Sequence, residues 1–311
     1  MGGGADRSWG WVTDGGIETD LMFHHGLELP EFAAYPLLRT AEGRAALRTY
    51  YEEYAAIAEA VGAGLRLETP TWRANPEWGA RLGDDAVALD SANRAAVELL
   101  RSLADEWSDR AVGIRVIGTI GPRGDGYAAG GTSDTDEAAE YHAAQAAAFA
   151  SAGADEVAAL TLTDTREALG VVRAADAAGI PAVISFTVET DGRLPDGTSL
   201  QDAVLTVDGI EGAAPPAYFM VNCAHPRHIL PAVEGDGVWK ERLRGVRSNA
   251  STQTHAELDE AETLDEGDLG VLVPAHRQLE RQLPALDVVG GCCGTDARHV
   301  AALWGVPERR D

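Results

Sequence analysis

Cysteine, lysine and aromatic residues are all scarce in this chain. Of 311 residues only three are cysteine, aromatic side chains make up 6%, and Lys240 is the single lysine. So few cysteines, odd in number, exclude the disulfide framework that staples small secreted domains and turn attention to metal or catalytic use. Arginine supplies nearly all of the 25 basic residues, which face 50 acidic ones for a formal net charge of −25. A field of that sign repels phosphates, and no basic stripe interleaved with aromatics runs along the chain, so nucleic acid is not an expected partner. No segment approaches about 18 uninterrupted apolar residues, and the Met1-Gly2-Gly3-Gly4 start has no basic stretch followed by an apolar run. Neither membrane insertion nor export is therefore expected, and the cytoplasm is the expected location. What is abundant is alanine and glycine within a 45% hydrophobic composition, which suits an enzyme of close-packed helices and strands.

Short β-rich runs alternate with Ala/Leu/Glu-rich helical stretches, the pattern of parallel strands joined by crossover helices. Strands are expected over residues 9–15, 64–69, 113–120, 156–162, 182–187, 217–222, 243–248 and 286–290. Helices are expected near 41–61, 84–105, 134–152, 165–178, 200–208, 227–233, 269–282 and 296–303. Asp134 with Glu137 and Thr165 with Glu167 supply polar and acidic groups at helix starts, while Gly62 and Gly179 stand where helices end. Length alone suggests about two domains, but no composition break marks a linker and single barrels run this long. Eight units argue for one (β/α)8 TIM barrel spanning residues 1–311, with a doubly wound open sheet as the runner-up. The polar motifs favour the barrel. Asp14-Gly15-Gly16, Glu68-Thr69, Gly118 through Gly124, Thr161, Ser185-Phe186-Thr187, Asn222-Cys223, Asn249 and Cys292-Cys293 all fall at strand carboxyl ends. A closed barrel brings those ends to one mouth, whereas an open sheet unites only the few at a switch point. The segment 124–132 reads as a loop over that mouth.

The three cysteines lie in two places, Cys223 in Asn222-Cys223-Ala224-His225 and the pair in Gly290-Gly291-Cys292-Cys293-Gly294-Thr295. Cysteines without disulfides commonly serve as small buried apolar residues. Glycines on both sides of the pair, however, permit a sharp turn and close approach to a ligand, which a core cysteine does not need. Zinc takes four ligands, so three sulfurs would leave one position for a substrate. The candidate metal ligands are thus Cys223, Cys292 and Cys293. His225 stands at C-x-H spacing as a substitute ligand.

With Asn75 and Gly121-Pro122-Arg123-Gly124 added, the Asp14-Gly15-Gly16, Glu68-Thr69, Asn222-Cys223 and Gly290-Gly291-Cys292-Cys293-Gly294-Thr295 motifs resemble the homocysteine S-methyltransferase family, in family order and over almost the whole chain. The resemblance implies a zinc-bearing barrel that moves a methyl group from a small donor to a thiol, with zinc on Cys223, Cys292 and Cys293. It also places Asp14 in the motif that receives the amino-acid acceptor. One departure stands out. Where the family usually carries a Glu-Thr pair after the fourth strand, whose carboxylate holds the acceptor's ammonium, this chain has Thr161 within Ala159-Leu160-Thr161-Leu162-Thr163. A hydroxyl is the weaker partner for an ammonium.

The expected reaction is zinc-dependent methylation of a thiol, by default homocysteine to methionine, from a sulfonium or ammonium donor such as S-methylmethionine. Another thiol or a selenol is the alternative acceptor. An acceptor thiol of pKa about 8.5 needs help to become a nucleophile, and metal coordination supplies it; amides at the helix start after Cys293 would favour thiolates as well. Substrate contacts are expected from Asp14, Gly15, Gly16, Glu68, Trp72, Thr161 and Asn222, with Trp72 offering a ring face to the donor cation. Phe186 is a weaker candidate for that contact, Arg123 could meet a substrate carboxylate, and His24 and His25 belong near the entrance. Gly118 through Gly124 lacks Walker spacing and a lysine, so it is no phosphate cradle. Two further readings belong to other classes: a zinc hydrolase, for which the all-cysteine set is a poor match, and a redox sensor built on a Cys292–Cys293 disulfide. Oligomeric state is left open.

Overall fold

A computed structural model describes residues 10–124, 126, 134–261 and 263–307. Eight parallel strands close on one another in sequence order. They are β1 (Trp11–Val12), β2 (Gly64–Glu68), β3 (Ile114–Ile120), β4 (Glu156–Leu162), β5 (Ala182–Phe186), β6 (Tyr218–Ala224), β7 (Leu243–Ser248) and β8 (Val288–Gly291). The chain folds as one (β/α)8 barrel, and the open-sheet alternative falls away because β1 pairs with both β2 and β8.

Helices follow the strands in the expected rhythm: α1 (Ile17–Phe23), α2 (Ala41–Val61), α3 (Pro76–Arg81), α4 (Ala86–Glu106), α5 (Thr135–Ala152), α6 (Thr165–Ala178), α7 (Leu200–Asp208), α8 (Pro226–Ala232), α9 (His255–Asp259), α10 (Leu269–Glu280) and α11 (Ala297–Trp304). The long ones match the sequence reading closely, and Gly62 and Gly179 end α2 and α6 in the left-handed conformation. Thr165 is the first residue of α6 rather than its cap. Asp164 caps it, accepting from the amides of Arg166 and Glu167 at 2.8 and 3.0 Å. Three short helices, α1, α3 and α9, were not expected, since one or two turns hold too few apolar positions to show a period. All three sit in loops after strand carboxyl ends. The loop foreseen over residues 124–132 lies mostly outside the described residues. Among the described residues no helix is long and apolar enough to cross a membrane.

Strand alternation sorts the buried residues into two layers. Leu65, Leu67, Val157 and Ala159 belong to the large apolar cluster between strands and helices, while Ala158, Leu160, Met220 and Tyr218 form a smaller cluster inside the barrel. Much of the interior is charged instead. Glu156 begins β4 and pairs with Arg66; Arg66 Nε lies 3.5 Å from Glu68; Glu68 pairs with Arg247; and Arg247 Nη2 lies 2.6 Å from Asp14 Oδ1. Every member is buried. Arg247 also donates to the carbonyls of Gly15 and Gly291 at 2.9 and 3.0 Å, so one guanidinium ties the β1 turn, β2 and β8 to β7.

Removing a single partner from such a network strands buried charge, at a cost of about 3–5 kcal/mol. Arg247→Met is expected to lower unfolding free energy by that amount, read by denaturant titration. A loss under about 1 kcal/mol would show that the network does not hold the mouth together.

Candidate active site at the carboxyl ends of the strands

Cys223 lies inside β6 rather than after it, at an irregularity where the register to β7 shifts between Asn222 and Ala224. Its φ is 57°, in the left-handed region that side chains disfavour. Three donors hold its carbonyl there: His255 Nε2 at 2.7 Å, Asn249 Nδ2 at 3.0 Å and Thr187 Oγ1 at 3.4 Å. Thr161, φ 62°, sits at a matching shift in β4. Asn222 locks it from both sides, accepting from the Thr161 amide and donating to its hydroxyl, each at 2.8 Å. Backbone held in sparsely populated conformations by its surroundings clusters at working sites.

At β8 the glycines do what the sequence suggested. A Cβ on Gly290 would come within 2.7 Å of the Thr13 and Asp14 carbonyls, and one on Gly291 within 2.0 Å of Thr295 Oγ1. Gly294 has φ 74° and returns the chain toward α11. Cys292 is anchored by its amide to the Ser248 carbonyl at 2.8 Å, and the Cys293 carbonyl accepts from Ala250 at 3.2 Å.

This brings the sulfurs of Cys223, Cys292 and Cys293 within 4.8 Å of one another. Cys223 and Cys293 Sγ are 3.5 Å apart. Tetrahedral zinc–sulfur bonds of about 2.3 Å place neighbouring sulfurs about 3.8 Å apart, so the spacing fits a thiophilic metal. None of the three is in a disulfide, and this contact across the barrel joins Cys223 to Cys293, not the vicinal pair. The cluster polarises itself: hydrogen bonding with Cys223 and Cys293 pushes the Cys292 thiol well down, and Cys223 is driven up by the same contacts and by burial. Asn222 Nδ2 approaches Cys292 Sγ at 3.8 Å. At the start of α11 the amides of Arg298 and His299 are taken by the Asp296 carboxylate. Among the described residues His225 does not gather with the three sulfurs. It caps α8, its Nδ1 accepting from the Arg227 amide at 3.1 Å.

The sulfurs border a cavity of about 390 Å³ lined also by Asp14, Gly15, Gly16, Glu68, Trp72, Thr161 and Asn222. These seven expected substrate contacts are thus brought together with the sulfurs, though several are already engaged. Asp14 binds Arg247 and accepts from Tyr50 Oη at 3.2 Å; burial outweighs the arginine and pushes its carboxyl up to about 7. Glu68 accepts from Thr13 Oγ1 at 3.0 Å besides pairing with Arg247. Trp72 already has the Arg73 guanidinium 5.1 Å from its ring centroid, so an incoming cation must take the other face or compete. Phe186 lies in the core, 6.3 Å from Phe219 in a stacked pair. Arg123 faces Glu137 and the Tyr141 ring outside the cavity. His24 lies beside Asp20 and Glu266 near the entrance, with Nδ1–Oδ1 at 2.7 Å and Nε2–Oε1 at 2.5 Å. Sequence reasoning missed Arg247, Glu18, Arg73, Leu258, Ala261 and Thr263 to Asp265, all of which line the cavity. Only Glu18, four residues after Asp14, carried a nearby signal.

The family model for homocysteine S-methyltransferase matches residues 11–305. This chain belongs to that family. Crystal structures of the homocysteine methyltransferase MmuM from Escherichia coli share the fold: the metallated form has a TM-score of 0.73 at 22% identity, and the oxidized form 0.74 at 21%. Each comparison covers 97% of both chains. The barrel described above is therefore a methyltransferase.

The floor of the site leaves no room at Gly16, where a Cβ would sit 2.6 Å from the Cys292 carbonyl. Gly16→Ala is expected to cost about 1–3 kcal/mol of stability through overpacking and to weaken cobalt binding by the three sulfurs. Denaturation and cobalt absorption titrations read both effects; unchanged cobalt affinity would mean that the turn does not position Cys292.

Proposed function

We propose that Cys223, Cys292 and Cys293 hold Zn²⁺ and that the enzyme transfers a methyl group from a small sulfonium or ammonium donor, such as S-methylmethionine, to a thiol, by default homocysteine. The observation that carries this reading is the convergence of three sulfurs, from two distant strands, on the wall of one cavity. Zinc, when bound, would supply the positive charge that lets a thiol shed its proton at neutral pH. The chain's own groups do the rest. Met22, Phe23, Phe32 and Leu258 line the cavity with apolar side chains, and water displaced from such a wall strengthens attraction between an electron-rich sulfur and a cationic donor. The ring of Trp72 offers a surface that favours a cation over its neutral product. In the transfer, the acceptor's S–C bond to the methyl group forms as the donor's bond to it breaks; the donor leaves neutral and the acceptor's proton passes to solvent.

The wall at β4 bears on which thiol is taken. Leu160 and Thr161 line the cavity there without a charge, and the Thr161 hydroxyl already accepts from Asn222. Another thiol or a selenol is thus the alternative acceptor. A cytoplasmic setting suits three reduced sulfurs.

Metal analysis of reduced protein should find about one zinc per chain, as a single three-sulfur site allows, and Cys292→Ala or Cys293→Ala should abolish it. Fully active protein without zinc would remove the mechanism. Incubation with a panel of thiols and methyl donors, followed by mass spectrometry, should show a gain of one methyl group on a thiol. Water-dependent cleavage with no methylated thiol would favour a hydrolase.

A further inference from the structure

Four carboxylates line the cavity: Asp14, Glu18, Glu68 and Asp265. Three are committed to the protein. Asp14 and Glu68 share Arg247, and Asp265 accepts from Ser251 Oγ and from the Gly267 amide. Glu18 differs. It lies in the first turn of α1, directly after the Gly15-Gly16 turn, and among the described residues its carboxylate has no ion pair or hydrogen bond to another residue's side chain. Only its own backbone amide bonds to it, while Cys292, Asp14 and Arg73 act on it through space. Burial pushes its carboxyl up to about 7 and outweighs the opposing pull of the Arg73 guanidinium, as expected of an acid held in a cavity without an ion-pair partner.

We propose that Glu18 receives the ammonium of an amino-acid thiol, so that the β1–α1 turn, rather than β4, selects acceptors bearing an amino group. The inference rests on the methyl-transfer reading above and adds to it the chemistry of the acceptor. An ammonium donates up to three hydrogen bonds and is best met by a carboxylate, whereas a sulfonium has no N–H or O–H donor and is better met by an aromatic face such as Trp72. The two cations are thereby sorted to different walls. Glu18 and Cys292 line the same cavity, so one amino-acid thiol can present its nitrogen to the first and its sulfur beside the second.

The test compares zinc-loaded wild type with Glu18→Gln, which keeps the side chain's shape, and with Glu18→Asp in case the amide variant folds poorly. Homocysteine is set against 4-mercaptobutanoate, which lacks only the amino group, in both methylation kinetics and calorimetric binding. Loss of a charged hydrogen bond should lower the homocysteine-to-mercaptobutanoate ratio by about 10- to 100-fold, through KM and binding affinity rather than kcat. Equal effects on both thiols, or an unchanged ratio, would overturn the assignment. If the wild type methylates no thiol, the functional reading fails by itself. The calorimetric ratio still decides on Glu18: an unchanged preference for homocysteine over the desamino thiol refutes it.

Discussion

The guanidinium of Arg247 is the contact on which the mouth of this barrel depends. It satisfies two buried carboxylates, Asp14 and Glu68, and two backbone carbonyls, Gly15 and Gly291. Those four partners belong to the turn after β1, to β2 and to β8. A planar group with donors in a fixed fork can do this where an ammonium could not. The same cation stands near Cys292 and helps hold its thiol down. Structure and electrostatics at the sulfur cluster thus draw on one side chain, which no motif in the sequence announces.

The second constraint is conformational. Thr161 and Cys223 both occupy left-handed backbone in neighbouring parts of the wall, and Asn222 links them by bonding Thr161 twice and approaching Cys292. Ser185 Oγ, 2.6 Å from Asn222 Oδ1, fixes that amide in turn. Asn222 therefore acts as a spacer between β4 and β8. Its hydrogen bonds leave little for a substrate, and the Thr161 hydroxyl is consumed in the same exchange.

Much of this was legible in the residues. The eight long helices and the strands carried clear periodicity, and Cys292-Cys293 between glycines marked the site, because local turns need local residues. The charged chain through the barrel was not legible. Arg66, Glu156 and Arg247 read as ordinary polar positions in strands and Glu68 as a substrate contact, and their meeting depends on register between elements far apart in sequence. Two of the helix-start amides go to Asp296 rather than to the thiols, an outcome decided by side-chain geometry rather than spacing. Glu18 was not legible because α1, which carries it, shows no period of its own, and only the filled partners of its neighbours set it apart.

The shortest strand gives the barrel a seam. β1 has only two residues, Trp11 paired with Gly64 and Val288, and Val12 with Leu65 and Val289. Asp14 through Gly16 lie on one side of the β1–β8 junction, and Cys292 with Cys293 on the other. Joining these two edges completes the cylinder, and the same event sets the sulfur corner beside the acidic turn. In a chain whose first and last strands have not met, Cys223 on β6 and Cys292 with Cys293 after β8 can still gather through β7, but the acidic turn stays apart from them.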